Sequence, residues 1–283
     1  MAVRQLRAED IPAALALINE EGWNYTSIEL ERMLQLDPDG SYLFEDGHPI
    51  GIVMGVSYGR TGVIGHLVVS KKGRGRKIGQ TLLNHSLDYF DSRGVESVAL
   101  YATAEGEKLY NKYGFLKKRQ ALCVNARIPK VVAFPDALKA ERLDEKDMPD
   151  AIALDSDLFG DDRRKLMDML FKESVGHRFK LSKNGALVGF IFARESPVGY
   201  DVGPWVCTTG SAKDAMNLYA AAVTSLTRGT LFLAAFEQNK HSADLARSLD
   251  RIILWEVEYM VRGEDRYNRD PSSVYGITAF ELG

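Results

Sequence analysis

Three segments of this chain occur twice, in the same order and with almost the same spacing. The aligned pairs are RQLRAEDIPAALAL (4–17) with ERLDEKDMPDAIAL (141–154), GHPIGIV (47–53) with GALVGFI (185–191), and IGHLVVS (64–70) with VGPWVCT (202–208). One such match can arise by chance, but three in one order indicate two copies of a single folding unit. A chain of 283 residues has the length of two typical domains. We therefore expect one domain over residues 1–128 and a second over residues 140–283.

The expected linker is residues 129–139, where PKVVAFPDALK carries two prolines around a short apolar segment. Apolar periodicity in the first copy predicts a helix over residues 7–21 and a second helix that Ser27 can cap. Further elements are predicted as strands over 42–45, 50–58 and 63–69, a helix to about residue 92, a strand over 98–102, a helix over 105–113 and a strand over 122–128. This order predicts the α+β class, with each copy forming a mixed, mostly antiparallel sheet flanked by helices.

The composition limits the classes of partner. A net charge of −3, with 27% charged and 45% apolar residues, gives no global positive field, so no nucleic-acid partner is expected. No apolar run is long enough to span a membrane, and MAVRQLRAEDIP has no signal-peptide core, so no membrane partner is expected either. Two cysteines provide neither a disulfide framework nor a zinc cluster, which predicts a cytoplasmic location and no metal. The sequence leaves the oligomeric state open.

A basic loop, KKGRGRKIG (71–79), lies in the first copy between an apolar strand and an amphipathic helix. The start of a helix offers amide groups without a helical partner and the positive end of the helix dipole. Such a loop is suited to hold an anion, above all a phosphate. The alternative interpretation is a solvated turn that binds nothing. The second copy has TTGSAKDAMNL (208–218) at this place, with one glycine and one lysine.

The strand, basic loop and helix, followed by a strand and the motif LYNKYGF (109–115), resemble the GNAT superfamily of acyl-CoA-dependent N-acyltransferases. The loop motif of that family, Gln/Arg-x-x-Gly-x-Gly/Ala, maps onto residues 74–79, with Lys77 in place of the middle glycine. The resemblance implies that acetyl-CoA is the cosubstrate and that loop amides bind its pyrophosphate. A lysine with negative φ would still present its N–H. The residues that the resemblance assigns to acetyl-CoA are Leu67, Val68 and Val69 on the strand, Arg74, Gly75, Arg76, Lys77, Ile78, Gly79 and Gln80 in the loop, and Thr103.

Tyr110 is the predicted catalytic acid. The thiolate that leaves when an amine attacks a thioester needs a proton, and a phenol can supply one. The resemblance places the tyrosine of this motif beside the CoA sulfur; the alternative is a tyrosine whose ring only packs on the sheet. The attacking amine must be neutral, so a base or an ordered water is expected, and His66 is a candidate base because imidazole titrates in the useful range. The alternative is a partly buried, hydrogen-bonded histidine.

The acceptor side is predicted at EGWNYTS (21–27), between the first two helices. Trp23, Asn24 and Tyr25 can face a small amine, or the two aromatic rings can simply cover the edge of the sheet. In the second copy Ala246 stands where the first has Tyr110, so the basic loop and the tyrosine are lost together. The second copy is therefore expected to keep the fold and lose the chemistry.

The expected function is an N-acetyltransferase that moves the acetyl group of acetyl-CoA to a primary amine of a small molecule by direct transfer. Two alternatives stay open. One is a non-catalytic protein that binds CoA or a partner, and the other is a purely structural tandem domain. The identity of the acceptor leaves no trace in the sequence.

Overall fold

The computed structural model describes residues 2–23, 25–197, 199–266 and 270–283. The chain divides into two compact units, the first made of residues 1–117, 260–265 and 280–283, and the second of residues 118–259 and 266–279. Residues 118–128, which the sequence assigns to the first copy, thus pack in the second unit, while two late segments pack in the first. The two units are defined by which residues pack together, which does not test where one copy of the repeated sequence ends and the next begins. The boundaries of the two sequence copies therefore stay a prediction.

The first unit is built on a sheet whose strands lie in the order of their numbers. The strands are β1 (Ala2–Gln5), β2 (Tyr42–Glu45), β3 (Pro49–Ser57), β4 (Thr61–Val69) and β5 (Ser97–Ala102), and the helices are α1 (Ile11–Asn19), α2 (Ser27–Leu36), α3 (Ile78–Ser92) and α4 (Ala104–Lys112). Neighbouring strands are antiparallel, except that β4 and β5 are parallel. The sequence pattern did not reveal β1, which is too short to show a period.

The second unit repeats this plan. Its strands are β6 (Leu116–Arg127), β7 (Glu141–Arg142), β8 (Arg178–Lys183), β9 (Ala186–Ser196), β10 (Gly199–Cys207), β11 (Thr230–Phe236), β12 (Arg251–Gly263) and β13 (Val274–Gly276), and its helices are α5 (Met148–Phe159), α6 (Arg164–Glu173), α7 (Ala212–Ser225) and α8 (Lys240–Ser248). The first two residues of β6 and the last four of β12 belong to the first unit. No helix in the described ranges is long and apolar enough to cross a bilayer.

The equivalent helices of the two units begin in the same way. Both α1 and α5 follow a 3-10 turn that carries a capping box, with Asp10 or Asp147 as the residue before the helix and a proline in the first turn. Each unit also contains one parallel strand pair, β4 with β5 and β10 with β11. The prediction of an α+β protein with two copies of one fold is confirmed.

The residue that caps α2 lies one position before the predicted one. Thr26 has an extended backbone, and its side chain accepts a hydrogen bond from the amide of Ile28. The Glu29 carboxylate in turn accepts a hydrogen bond from the amide of Thr26, which completes a capping box. Thr26 is therefore the cap, and the prediction of Ser27 was wrong. The helix predicted over residues 7–21 is also shorter, because its first turn is a 3-10 turn at Ala8–Asp10.

Helix α3 is fixed on the sheet of the first unit by its apolar face. Ile78, Leu82 and Phe90 are buried in a cluster that also contains Ile64 and Val98 from the two parallel strands. Burying a side chain such as Phe90 contributes about 1.5–3 kcal/mol. Because this contact begins at Ile78, the first turn of α3 is held close to the end of β4.

Candidate active site

Strand β4 carries a bulge that separates it from β5. Pairing between β3 and β4 shifts from Met54–His66 to Gly55–Ile64, so Gly65 is the extra residue. The parallel pairing of β4 with β5 ends at Ile64–Leu100, although β4 continues to Val69 and β5 to Ala102. The structure describes every residue of both strands, and none beyond the bulge is paired across β4 and β5. A gap therefore opens between the two strands beyond the bulge.

Alternation along β4 decides which amides face this gap. Ser70 donates its N–H to the carbonyl of Ile50 in β3. Because N–H groups alternate in direction along a strand, the amide of Val68 also points toward β3. The amides of Leu67 and Val69 point to the other side, toward the gap. Of the three strand residues predicted to bind the donor, these two have the required direction, and Val68 does not.

The basic loop leads into a helix start that no side chain caps. Lys77 precedes α3 with φ of 61° and ψ of 13°, a left-handed conformation, and makes no side-chain cap hydrogen bond. Lys77 thus presents its N–H from a left-handed backbone and not from the negative φ considered for a lysine here, because the turn at this point has the geometry that glycine favours. The first hydrogen bond of the helix runs from Thr81 N–H to the Lys77 carbonyl. The amides of Ile78, Gly79 and Gln80 consequently have no helical partner.

The arginines of the loop are held in place by carboxylates. Arg74 contacts Glu21 at 2.6 Å and Glu105 at 3.4 Å, and its Nε donates to the carbonyl of Val69 at 3.4 Å. Arg76 contacts Asp46 at 2.9 Å. Gly75 has φ of 77°, which lets the loop turn between the two arginines. Exposed Lys71 and Lys72 add further positive charge at the end of β4.

Tyr110 lies on α4 in the cluster that α3 forms with the sheet. Its side chain is buried, its ring packs against Phe115 at 5.8 Å between centroids, and Gly106 leaves room for the ring edge. Burial raises the pKa of the Tyr110 phenol, and no other cause contributes. The hydroxyl therefore stays protonated at neutral pH, as a proton donor must.

Thr103 caps the helix that carries this tyrosine. It is the residue before α4, and its hydroxyl accepts a hydrogen bond from Gly106 N–H at 3.4 Å. The predicted contact of Thr103 with the donor stays a prediction. A role in placing α4, and thereby Tyr110, already follows from the cap.

His66 occupies an apolar environment that keeps it uncharged. It is 1% exposed, and burial lowers the pKa of its imidazole to about 4. Its Nε2 has no hydrogen-bond partner among the described residues. The ring of Tyr25 meets it edge-on, with centroids 4.4 Å apart. An imidazole with such a low pKa is a weak base at neutral pH, which speaks against His66 as the group that activates the amine.

The predicted acceptor segment is only partly brought to the site. Tyr25 lies against β4, and its hydroxyl donates to the Glu281 carboxylate at 3.2 Å. Trp23 is 36% exposed. Asn24 lies outside the described residues. Sequence reasoning missed Glu281, which is separated from Tyr25 by 256 positions and belongs to no local motif.

In the second unit the gap is filled, the helix start is capped and the tyrosine is replaced. Parallel pairing of β10 with β11 ends at Val202–Leu233, and beyond that point β13 pairs with β10 while Ile277 donates to the carbonyl of Ala234 in β11. The start of α7 is capped by Ser211, whose side chain accepts from Asp214 N–H. Ala246, the counterpart of Tyr110, is fully buried. The gap, the uncapped helix and the phenol are thus all absent from the described part of the second unit.

The described residues contain no group of three or more His, Cys, Asp or Glu side chains placed to hold a metal ion. Among the described residues the first unit offers four groups for chemistry: the basic start of α3, the strand amides beside the gap, the buried phenol of Tyr110 and the carboxylate of Glu281.

Family models match both halves of the chain. The model described as the acetyltransferase (GNAT) family covers residues 4–115, and a second model described as an acetyltransferase (GNAT) domain covers residues 151–276. The chain belongs to the GNAT superfamily of acetyltransferases. It is a tandem GNAT protein, as the repeat and the loop motif predicted, and its class of enzyme is that of the N-acetyltransferases.

Two curated relatives are similar to this GNAT protein over most of their length. One is the uncharacterized N-acetyltransferase YitH of Bacillus subtilis (strain 168), 26% identical over 229 residues, which cover 80% of this chain and 77% of the relative. The other is the holothin acyltransferase of Pseudoalteromonas sp. (strain SANK 73390), 26% identical over 231 residues, which cover 77% of this chain and 75% of the relative.

Solved structures share the fold of this GNAT protein. A Pyrococcus horikoshii protein assigned as an acetyltransferase superposes with a TM-score of 0.81 at 20% identity, covering 100% of this chain and 95% of that one. A GCN5-related N-acetyltransferase from Sphaerobacter thermophilus superposes with a TM-score of 0.67 at 14% identity, covering 93% and 95%. At these identities the similarity shows the fold alone.

Proposed function

We propose that the first unit transfers the acetyl group of acetyl-CoA directly to a primary amine of a small molecule. The observation that carries the proposal is the gap beside the bulged strand β4, which ends at the uncapped, basic start of α3. An extended amide-bearing arm fits beside strand amides, and a pyrophosphate fits at such a helix start. Both features occur in the same unit as Tyr110.

Each residue of the gap has a separate task in this reaction. The amides of Leu67 and Val69 bind the arm of the donor and polarise the thioester carbonyl. The amides of Ile78, Gly79 and Gln80, with the guanidinium of Arg74, hold the pyrophosphate. The neutral amine attacks the carbonyl carbon, the C–S bond breaks, and the Tyr110 hydroxyl gives its proton to the leaving thiolate. Burial keeps this hydroxyl protonated until that step. The amine nitrogen loses one proton to solvent as it becomes the amide nitrogen, and solvent returns a proton to Tyr110, so the products are one amide and one thiol.

The proposal includes a cytoplasmic location. Cys123 and Cys207 are both free and both buried, the state that a reducing compartment maintains.

Thermal unfolding with and without acetyl-CoA tests the donor. A ligand at about one hundred times its dissociation constant stabilises a protein by roughly 2.7 kcal/mol. Arg74→Ala should reduce the shift, whereas Lys213→Ala, at the start of α7 in the second unit, serves as the matched control and should retain it. No shift with acetyl-CoA or CoA would contradict the proposal.

Release of free thiol in the presence of a panel of primary amines tests the transfer. Thiol release that depends on the amine, with an acetylated product found by mass spectrometry, is the expected result. A thermal shift without transfer to any amine would instead favour the non-catalytic, CoA-binding alternative.

A further inference from the structure

Helices α3 and α7 hold equivalent places in the two units, and they bury the same pattern of positions. Helix α3 packs on β2, β3 and β4, and α7 packs on β8, β9 and β10. Each helix buries two adjacent pairs of residues four positions apart, which are 82–83 and 86–87 in α3 and 218–219 and 222–223 in α7. This register matches Ala221 of α7 with His85 of α3, and Ser225 with Tyr89.

Aromatic rings occupy the space beside this helix in the first unit. The ring of Tyr42 in β2 contacts that of His85 at 5.9 Å and that of Tyr89 at 6.4 Å between centroids. In the second unit the matched residues are small, and Ala221 and Ser225 line a cleft with a volume of about 640 Å³. Protein sites for small molecules have volumes of about 300–1,000 Å³. The second unit therefore has a cleft of suitable size where the first unit is filled.

A segment that precedes the repeat, residues 133–140, forms another wall of this cleft. The side chain of Asn217 in α7 accepts a hydrogen bond from Phe134 N–H at 2.7 Å and donates to the carbonyls of Phe134 at 3.0 Å and Leu138 at 3.1 Å. Asp214, also in α7, accepts from Leu138 N–H at 2.7 Å. Both polar side chains are buried. Because these bonds tie the segment to α7, the fold itself fixes the shape of the cleft.

The walls of the cleft are apolar and aromatic, and its charged groups are cations. Phe134 and Phe179 line it, and the charged side chains among its described lining residues are Lys139 and Arg142, with neither Asp nor Glu. The Arg142 guanidinium lies over the ring of Phe179, 5.1 Å from its centroid, and donates to the Gly176 carbonyl. Lys139 is exposed and forms no ion pair with another described residue. Two cations beside aromatic walls are complementary to an anion with an apolar body.

We propose that this cleft of the second unit binds a small aromatic carboxylate. The ring of the ligand packs between Phe134 and Phe179, and its carboxylate pairs with the ammonium of Lys139 and the guanidinium of Arg142. A small molecule fits better than a second protein chain, because 13 of the described residues line the cleft, whereas a standard protein interface uses about 20–30 residues on each side. The site does not depend on the proposed transferase function.

A ¹⁹F NMR titration with 4-fluorophenylacetate tests the site. We expect saturable broadening of the fluorine signal with the wild type, and little broadening with 4-fluorophenylacetamide, which has the same ring without the charge. Lys139→Gln removes one cation and should raise the dissociation constant of 4-fluorophenylacetate by about three- to fivefold. Lys183→Gln, at an exposed position of the same unit outside the cleft, is the matched control and should bind as the wild type does.

Ala221→Phe tests the location, since it places a ring where the first unit has His85. Binding should be lost in Ala221→Phe and retained in Ala221→Ser, which keeps the space. Melting temperatures within the range of the Lys183→Gln control separate lost binding from lost folding, and Lys139→Gln carries the test if Ala221→Phe does not fold. Equal binding of the amide, full binding in Ala221→Phe or no saturation in the millimolar range would overturn the inference. A dimer in size-exclusion chromatography that Ala221→Phe dissociates would also overturn it, by assigning the cleft to a second copy of the chain.

Discussion

Lys77 adopts a left-handed backbone at the residue before α3, where its φ is 61°. The side chain is exposed, so no packing compensates for this conformation. A left-handed conformation costs a non-glycine residue about 1 kcal/mol or more. The family motif has glycine at this position and this chain has lysine, but the lysine adopts the left-handed backbone conformation that glycine favours.

We expect Lys77→Gly to raise the free energy of unfolding by about 0.5–1 kcal/mol. The substitution removes the strain of the β-carbon, and the larger freedom of glycine in the unfolded chain offsets part of the gain. Urea unfolding monitored by circular dichroism measures the change. Lys77→Ala removes the same charge but keeps the β-carbon, so it should show no gain. A loss of stability in Lys77→Gly would contradict the left-handed assignment.

Tyr110→Phe should lower turnover by about 10²-fold and leave the thermal shift with acetyl-CoA in place. The variant loses a proton donor, whereas the ring that packs against Phe115 remains. Because burial raises the pKa of the Tyr110 phenol, the wild-type rate should show no alkaline loss from this group below about pH 10. Steady-state kinetics across pH provide the measurement. Tyr113→Phe, on the same segment, is the control, and turnover of Tyr110→Phe equal to that of the control would reject the acid role.

The buried imidazole of His66 should make stability depend on pH. Its pKa is about 4 in the folded chain, against about 6.5 in an unfolded one. The unfolded state therefore binds the proton first, and the stability present above pH 6.5 is lost as pH falls toward 4. A difference of this size corresponds to about 3 kcal/mol. Denaturant unfolding between pH 7 and 4.5 should show a smaller decline in His66→Gln than in the wild type. His85→Gln, at an exposed histidine, should decline as the wild type does.

At the level of elements, the strand β4, its loop and α3 act as one structure. The bulge at Gly65 ends the pairing with β5, the loop turns at Gly75 and Lys77, and the apolar face of α3 holds the helix start against the strand. The sequence predicted this structure because each part is local: an apolar strand, a basic glycine-containing loop and a periodic helix. The motif with Tyr110 was predictable for the same reason.

Features that depend on distant contacts were not predictable. Glu281 meets Tyr25 across 256 positions, and β13 reaches β10 from the far end of the second copy. The bulge itself has no mark except a glycine in a strand. The direction of the Val68 amide follows only from the observed register of β3 and β4. A residue pattern within one stretch of the chain does not predict which distant segment packs against that stretch.

Gly79→Ala should separate folding from donor binding at this element. A β-carbon there would meet Leu109 and Val69 at 3.7 Å, which is ordinary contact. Replacing a helical glycine by alanine gains about 0.5–1 kcal/mol, so the free variant should be as stable as the wild type or more so. The added methyl group would narrow the approach of a phosphate to the first-turn amides, and the thermal shift with acetyl-CoA should decrease. Gly65→Ala is the contrasting variant, since its β-carbon meets backbone at 2.9 Å and should destabilise the fold. A full thermal shift in Gly79→Ala would argue against binding at the start of α3.

At the scale of the whole molecule, two units of one fold carry different chemistry. In each unit a parallel strand pair ends early, after Ile64 in the first and after Val202 in the second. The first unit keeps the gap and a basic, uncapped helix beyond it. The second fills the equivalent gap with β13 and caps the helix with Ser211. The expectation that the second copy lacks the chemistry, which rested on its lost loop and tyrosine, is thus joined by a physical argument that the sequence did not contain.

The chain should therefore bind one acetyl-CoA, not two. In the second unit the hydrogen-bonding edges that a donor would use are taken by residues 274–277, and displacing them would expose Tyr275 and Ile277, which are buried. Uncovering such side chains costs about 1.5–3 kcal/mol each, which opposes a second binding event. Isothermal titration should give one site per chain, and Arg74→Ala should weaken that site without revealing another. Ser211→Ala, which uncaps α7, should leave the stoichiometry at one, because β13 still fills the gap. A stoichiometry of two in the wild type would contradict this prediction and show that acetyl-CoA displaces β13 from the second unit.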